Sequence, residues 1–291
     1  MLTFRDRDGA EGLNARISIQ DREVSIDLSK PVSLAIDLRF SSQPGQPRHF
    51  GAPPASSRPF AVPGFSGSVE HGASCNCQIL TLIPHCNGTH TECVGHLTRE
   101  PADAYRIVPS GLVPALLVSV EPTNAAASSE STEPTPQSGD SLITRSAILE
   151  SWAKANANTN TTADFAPSAL VIRTLPNSPD KQHRDYTDRT PPYLSREAAS
   201  LLVERDIEHL VVDLPSIDRS HDEGRLTAHR IFFGLPRGST TLTQATRPRS
   251  TVTELAFIPD AIPEGPYLLE LQVPALSGDA VPSRPLLYRV L

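Results

Sequence analysis

The chain has 291 residues, 38% of them apolar, enough to bury a core as one large domain or two small ones. Its formal charge of −7 argues against sequence-independent nucleic-acid binding, which needs clustered Lys and Arg to replace counterions. No stretch reaches the ~18 consecutive apolar residues a membrane helix requires, so no membrane partner is expected. Residues 1–8 carry both signs of charge without an apolar stretch, so they do not read as a signal peptide, and the cytoplasm is the expected location.

Residues 17–29 alternate apolar and polar (Ile17, Ile19, then Val24, Ile26, Leu28), which predicts two short strands. Residues 41–67 are rich in Pro, Gly and Ser and read as a long surface loop. Residues 77–83 and 112–120 are apolar runs that predict buried strands. Residues 121–141 hold too few large apolar groups to repay ordering. Thr144 is placed to cap a helix through about Ala155 that buries Ile148, Leu149 and Trp152, with polar loop expected over 156–162.

A strand is expected over 170–174, then a charged loop over 176–192. Ser195 is placed to cap a helix carrying Ala198, Leu201 and Leu202. Further strands are expected over 210–214, 230–233, 251–257, 267–273 and 286–290. Strands outnumber helices, and no internal repeat occurs. This favours a single α/β or α+β domain over 1–291 with a mixed, barrel-like sheet, and surface inserts near 41–67, 121–141 and 176–192.

All four cysteines (Cys75, Cys77, Cys86, Cys93) fall within 75–93, a clustering unlike a disulfide framework, so reduced thiols are expected. They also lack the paired Cys-x-x-Cys spacing of a structural zinc site. The chemistry concentrates in His85-Cys86-Asn87-Gly88-Thr89-His90-Thr91-Glu92-Cys93-Val94-Gly95-His96. Asn87-Gly88 is a turn signal. If the chain is extended from His90, His90 and Glu92 leave one face, because strand side chains repeat every second residue. If it then turns helical, Glu92 and His96 share a face at i, i+4. Three groups able to bind a divalent ion such as Zn²⁺ or Mn²⁺ then converge. A solvated loop of the same composition is the bland alternative.

The segment from Asn87 to His96 resembles the signature His-x-Gly-Thr-His-x-Asp-x-x-x-His of the cyclase family, which includes bacterial kynurenine formamidases and isatin hydrolases. Asp27-Leu28-Ser29, Leu170-Val171-Ile172-Arg173-Thr174, Val212-Asp213-Leu214-Pro215-Ser216-Ile217-Asp218, Ala228-His229-Arg230 and Val252-Thr253-Glu254-Leu255 resemble further family segments, in the same order. The resemblance implies a mixed β-barrel-like core flanked by helices. It implies one or two divalent ions, Zn or Mn, held by His90, Glu92, His229 and Glu254, with Glu92 able to bridge two ions and His96 as general acid/base. A homo-oligomer is a further implication.

The chain also departs from the family. Glu92 replaces an Asp and is one methylene longer. Cys86 stands where the family has its first His. If Asn87 is an inserted residue, His85 supplies that ligand; if not, Cys86 does, and His85 is favoured. The loop after Asp27-Leu28-Ser29 lacks the tryptophan segment of kynurenine formamidases, which leaves the substrate open. Ser216 and Asp218 follow a buried strand and are candidate substrate contacts or simple turn formers. Arg284 is a candidate partner for a substrate carboxylate or a plain surface residue. The expected activity is hydrolysis of an amide, lactam or formamide C–N bond in a small molecule by metal-activated water. A metal-dependent cyclase or dehydratase, and a binding module with a lapsed site, are the alternatives.

Overall fold

The computed structural model describes residues 13–19, 22–40, 45–157 and 166–291. The expectations for residues 1–8, and in part for 41–67 and 156–162, fall outside them. A nine-stranded, curled half-barrel sheet dominates, with few helices, as expected for a mixed α/β chain. Its strands in chain order are β1 (Val32–Ser33), β2 (His90–Cys93), β3 (Val113–Val120), β4 (Ala169–Thr174), β5 (His209–Val212), β6 (Thr251–Glu254), β7 (Gly265–Gln272), β8 (Ala280–Pro282) and β9 (Arg284–Arg289). They lie in the order β8-β2-β6-β5-β4-β3-β7-β9-β1. The four central strands from β6 to β3 are parallel and the flanking pairs antiparallel.

The helices used below are α1 (Pro84–Asn87), α2 (Arg145–Ala157), α3 (Arg196–Glu204) and α4 (Thr227–Phe233). Two cores follow from the period-2 alternation of buried strands. Leu116, Val118, Leu170, Ile172, Leu210, Val212 and Val252 face the helices and pack with Ile148, Trp152, Leu201, Leu202 and Phe232. Ala115, Leu117, Val171, Val211, Tyr267 and Leu269 form a second cluster on the opposite face. Among the described residues no helix is long and apolar enough to cross a membrane.

The two helix caps form as expected: Ala147 N–H donates to Thr144 Oγ1 at 3.2 Å and Ala198 N–H to Ser195 Oγ at 2.9 Å. The hairpin over 17–29 also forms, with Ile17 opposite Val24. Other expectations are corrected. Residues 230–233 are helical, not a strand, because Asp218 accepts from the N–H groups of Ala228 and His229 and Gly234 closes the helix in the left-handed region. The strand in 77–83 (Gln78–Thr81) is exposed; among the described residues it pairs only with Ser56–Pro59, in an arm whose faces meet solvent. The loop over 41–67 therefore contains short hairpin strands.

Residues 121–141 are ordered through polar contacts rather than apolar burial. Glu130 accepts from the first N–H groups of α2 and from Ser195 Oγ, and Ser131 binds Glu197. The strand Ala280–Pro282 has too short an apolar pattern to be seen in the sequence.

His209 at the start of β5 is buried, with Nδ1 2.9 Å from Thr251 Oγ1. Burial, aided by the positive charge of Arg247, pushes its imidazole down to about 4. Between pH 6.5 and 4 the unfolded chain takes up a proton that the folded chain refuses. The contribution is therefore whole above pH 6.5 and is lost as pH falls towards 4, by about 3 kcal/mol. Urea unfolding in the presence of chelator, from pH 7 to 4.5, is expected to show this slope in wild type and its reduction by nearly one proton in His209→Gln.

Candidate metal centre

Strand β2 lies between β6 and β8, antiparallel to both. Alternation turns His90 and Glu92 to the helix-covered face, and the register sets Glu254 directly opposite His90. Thr91 and Thr253, on the other face, hydrogen-bond through their hydroxyls at 2.8 Å and lock that register. After β2 a single 3₁₀ turn (Val94–Leu97) returns His96 towards Glu92, with Nδ1 4.0 Å from Oε2. Helix α4 covers the same face and brings His229 Nε2 to 2.6 Å from Glu92 Oε1 and 3.4 Å from Glu254 Oε1. His90, Glu92, His229 and Glu254 are all at most 3% exposed.

Residues Pro84–Asn87 wind into the single turn of α1. Ile83 N–H donates to Asn87 Oδ1 at 2.6 Å, and this one turn delivers His85 to the cluster, with Nδ1 3.0 Å from Glu92 Oε2. Cys86 is buried in the same turn but contributes no atom to the candidate ligand groups among the described residues. Burial and the charge of Glu254 push its thiol up, which disfavours the thiolate a metal needs. Of the two residues, His85 joins a candidate ligand group and Cys86 does not.

Two groups of ligand-type atoms form, His85–Glu92–His96 and His90–Glu92–Glu254, each within 4.8 Å, and Glu92 belongs to both. The buried atoms His90 Nε2, His229 Nε2 and Glu92 Oε1 have no hydrogen-bond partner, although the last two stand 2.6 Å apart. None of the three makes a well-formed hydrogen bond although imidazole nitrogens and carboxylate oxygens crowd together, an arrangement that fits a shared cation. Meanwhile the other nitrogens of both rings are held: His90 Nδ1 lies 2.9 Å from Gly88 O and His229 Nδ1 2.7 Å from Asp218 Oδ2. Holding the far nitrogen is how ligating imidazoles are oriented.

The electrostatics agree. Burial opposes ionisation of Glu92, but the charges of His229 and His96 outweigh it and hold the carboxyl well below its usual range. Burial likewise opposes a charge on His229, yet the charge of Glu92 and the nearby carboxylates of Asp218 and Glu254 hold it well above an ordinary histidine. His85 is raised to about 10, since Asp279 and Glu92 together overcome its burial. A cluster of this sign binds positive charge tightly, as protons or as metal ions. Leu226 and Leu255, which flank the segments carrying His229 and Glu254, have φ of +48° and +51°. Such conformations cost about 1–3 kcal/mol each and concentrate where side chains must be aimed.

Sequence reasoning missed Asp279, whose Oδ2 lies 2.8 Å from His85 Nε2 and 3.4 Å from His96 Nδ1. It precedes β8, and Cys93 N–H donates to its carbonyl. The turn residues Ser277-Gly278-Asp279 were the only local signal, and nothing in their spacing tied them to His85. Of the candidate substrate contacts, Asp218 has both oxygens engaged with α4 and orients His229. Ser216 Oγ accepts from Asp218 N–H, a turn contact, while the adjacent Ile217 N–H donates to Glu254 Oε1 at 2.8 Å. Arg284 is exposed at the start of β9, and no hydrogen bond ties it to the cluster.

Comparisons with known proteins give one family model, Cyclase, matching residues 26–219. No curated protein matches. Among solved structures, the chain is similar to a "potential metal-dependent hydrolase with cyclase activity" (TM-score 0.54, 17% identity, covering 89% of this chain and 97% of that one). It is also similar to a "predicted metal-dependent hydrolase" from Bacillus stearothermophilus (0.54, 16%, 89% and 98%). A third similar structure is isatin hydrolase A from Labrenzia aggregata bound to benzyl benzoate (0.55, 14%, 90% and 94%). At these identities the structures establish likeness of fold.

Proposed function

The chain belongs to the Cyclase family, and from that premise we propose that it is a metal-dependent hydrolase cleaving an amide, lactam or formamide C–N bond of a small molecule. One observation carries the reading: three buried ligand-type atoms, on His90, Glu92 and His229, converge without hydrogen-bond partners while the far ring nitrogens are held. His85, His90, Glu92, His229 and Glu254 would hold one or two divalent ions, Zn or Mn, Glu92 being common to both candidate groups. Such an ion polarises a carbonyl and lowers the pKa of bound water towards 7.

The remaining work falls to side chains. His96, like His85, is partly exposed, whereas His90 and His229 are buried, so His96 can meet a substrate. It would take a proton from the attacking water and return it to the leaving nitrogen. Asp279, within 3.4 Å of His96 Nδ1, would fix that ring. Asp218 would keep His229 aimed at Glu92. The buried strand and helix faces around Glu92 keep bulk water from its inner oxygen.

The test is turnover of formanilide and a set of lactams in ¹⁸O-water by the full chain reconstituted with Zn²⁺ or Mn²⁺. The expected result is one ¹⁸O in the product carboxylate and loss of turnover on chelation. Equal rates with and without metal across the amide, lactam and ester panel would sink the proposal. Product without ¹⁸O would direct attention to a cyclase or dehydratase reaction, and bound metal without any turnover to a binding module.

A further inference from the structure

On the outer side of α4, away from the cluster, lies a cavity of about 530 Å³. Its wall includes four guanidinium groups, on Arg196, Arg225, Arg230 and Arg237, and a single carboxylate, Glu133. In a chain of formal charge −7 this is a local reversal of sign. Glu133 is shared: its Oε1 lies 3.5 Å from Arg196 Nη1 and 3.2 Å from Arg237 Nη1. Arg225 pairs with Glu223 at 2.7 Å.

Arg230 is half-buried and forms no ion pair among the described residues. Its guanidinium is held by the carbonyls of Arg225, Pro236 and Ser239, which fix its direction without neutralising it. The floor is apolar, with Ile231 and Leu235. A fixed guanidinium, flanked by two more that share one carboxylate over an apolar floor, selects an anion with an apolar body.

We infer that this cavity is a second ligand site, taking a small aromatic or aliphatic carboxylate or sulfonate, distinct from the metal cluster on the opposite side of α4. Burial of the apolar body against Ile231 and Leu235 supplies affinity, and Arg196, Arg230 and Arg237 select the charge. Helix α4 joins the two sites, because Arg230 and Ile231 follow His229 directly in its sequence.

The test is fluorescence titration of the full chain with 8-anilinonaphthalene-1-sulfonate and with its uncharged counterpart N-phenyl-1-naphthylamine. Saturable one-site binding of the sulfonate is expected, with the uncharged dye at least ~10-fold weaker. The double variant Arg196→Gln/Arg237→Gln, which changes exposed side chains only, is expected to lose about 10-fold in affinity. His90→Ala should leave sulfonate binding unchanged. Equal binding of both dyes, no saturable binding, or an unaltered affinity in the double variant would overturn the assignment. Loss of binding in His90→Ala would place the dye at the metal cluster and overturn it as well. None of these readouts depends on catalysis or on bound metal.

Discussion

Replacing Glu92 with Gln is expected to lower amide hydrolysis on the order of 10³-fold or more and to prevent stable metal uptake. Glu92 is the residue common to both groups of ligand-type atoms, and it is 1% exposed. Its Oε2 faces His85 at 3.0 Å and its Oε1 faces His229 at 2.6 Å. An amide in its place offers one neutral oxygen and turns two N–H donors towards imidazole nitrogens that must themselves present lone pairs. Glu92→Asp restores the shorter carboxylate of the cyclase signature. Because the charge survives, it should keep metal within about tenfold of wild-type affinity. Metal competition titrations on both variants, beside steady-state rates, check the pair of expectations. A Gln variant with wild-type metal affinity would remove Glu92 from the ligand set.

Asp213→Ala is expected to destabilise the fold by about 3–5 kcal/mol, the cost of breaking a buried ion pair from one side. Lys181 Nζ lies 2.7 Å from Asp213 Oδ2, and both side chains are at most 6% exposed. The carboxylate also accepts from Thr174 N–H at 3.0 and 3.1 Å. Without it, Lys181 keeps only neutral acceptors, Thr174 O and Asn177 Oδ1, for a charge sealed from water. Adding Lys181→Met to the Ala variant removes the stranded charge and should recover part of the loss. Guanidinium denaturation of the two single variants and the double variant gives the coupling energy directly. Additive losses would show that the pair does not interact as described.

The pair also illustrates what the sequence concealed. Asp213 follows a buried apolar strand, where local pattern alone points to binding or turn chemistry rather than to an ion pair. Its partner sits in a charged loop with no pattern pointing inward. A local pattern cannot report an ion pair closed across 32 residues by tertiary packing. Asp279 was hidden for the same reason, at a separation of 194 residues from His85.

Where local rules suffice, the sequence was legible. The caps at Thr144 and Ser195 follow from side-chain hydrogen bonding to the next turn, and the alternation of His90 and Glu92 follows from strand geometry. The central strands are continuous apolar runs because both faces are covered. The misread helix at residues 227–233 shows the limit. Arg230-Ile231-Phe232-Phe233 has strand-like composition, but the capping carboxylate comes from Asp218, ten residues before Ala228. The order of residues 121–141 likewise comes from Glu130 and Ser131 meeting α2 and α3, contacts that composition does not encode.

The candidate ligand set rests mainly on likeness to a family signature. Spacing alone reaches from His90 to His96, whereas His229 and Glu254 join only when α4 and β6 fold over β2. Elemental analysis of the full chain after reconstitution and desalting at neutral pH tests the central claim most directly. One to two zinc or manganese ions per chain are predicted for wild type, with most of this lost in His90→Ala. Less than about a tenth of an ion per chain, or full retention by His90→Ala, would contradict a metal centre built on these residues.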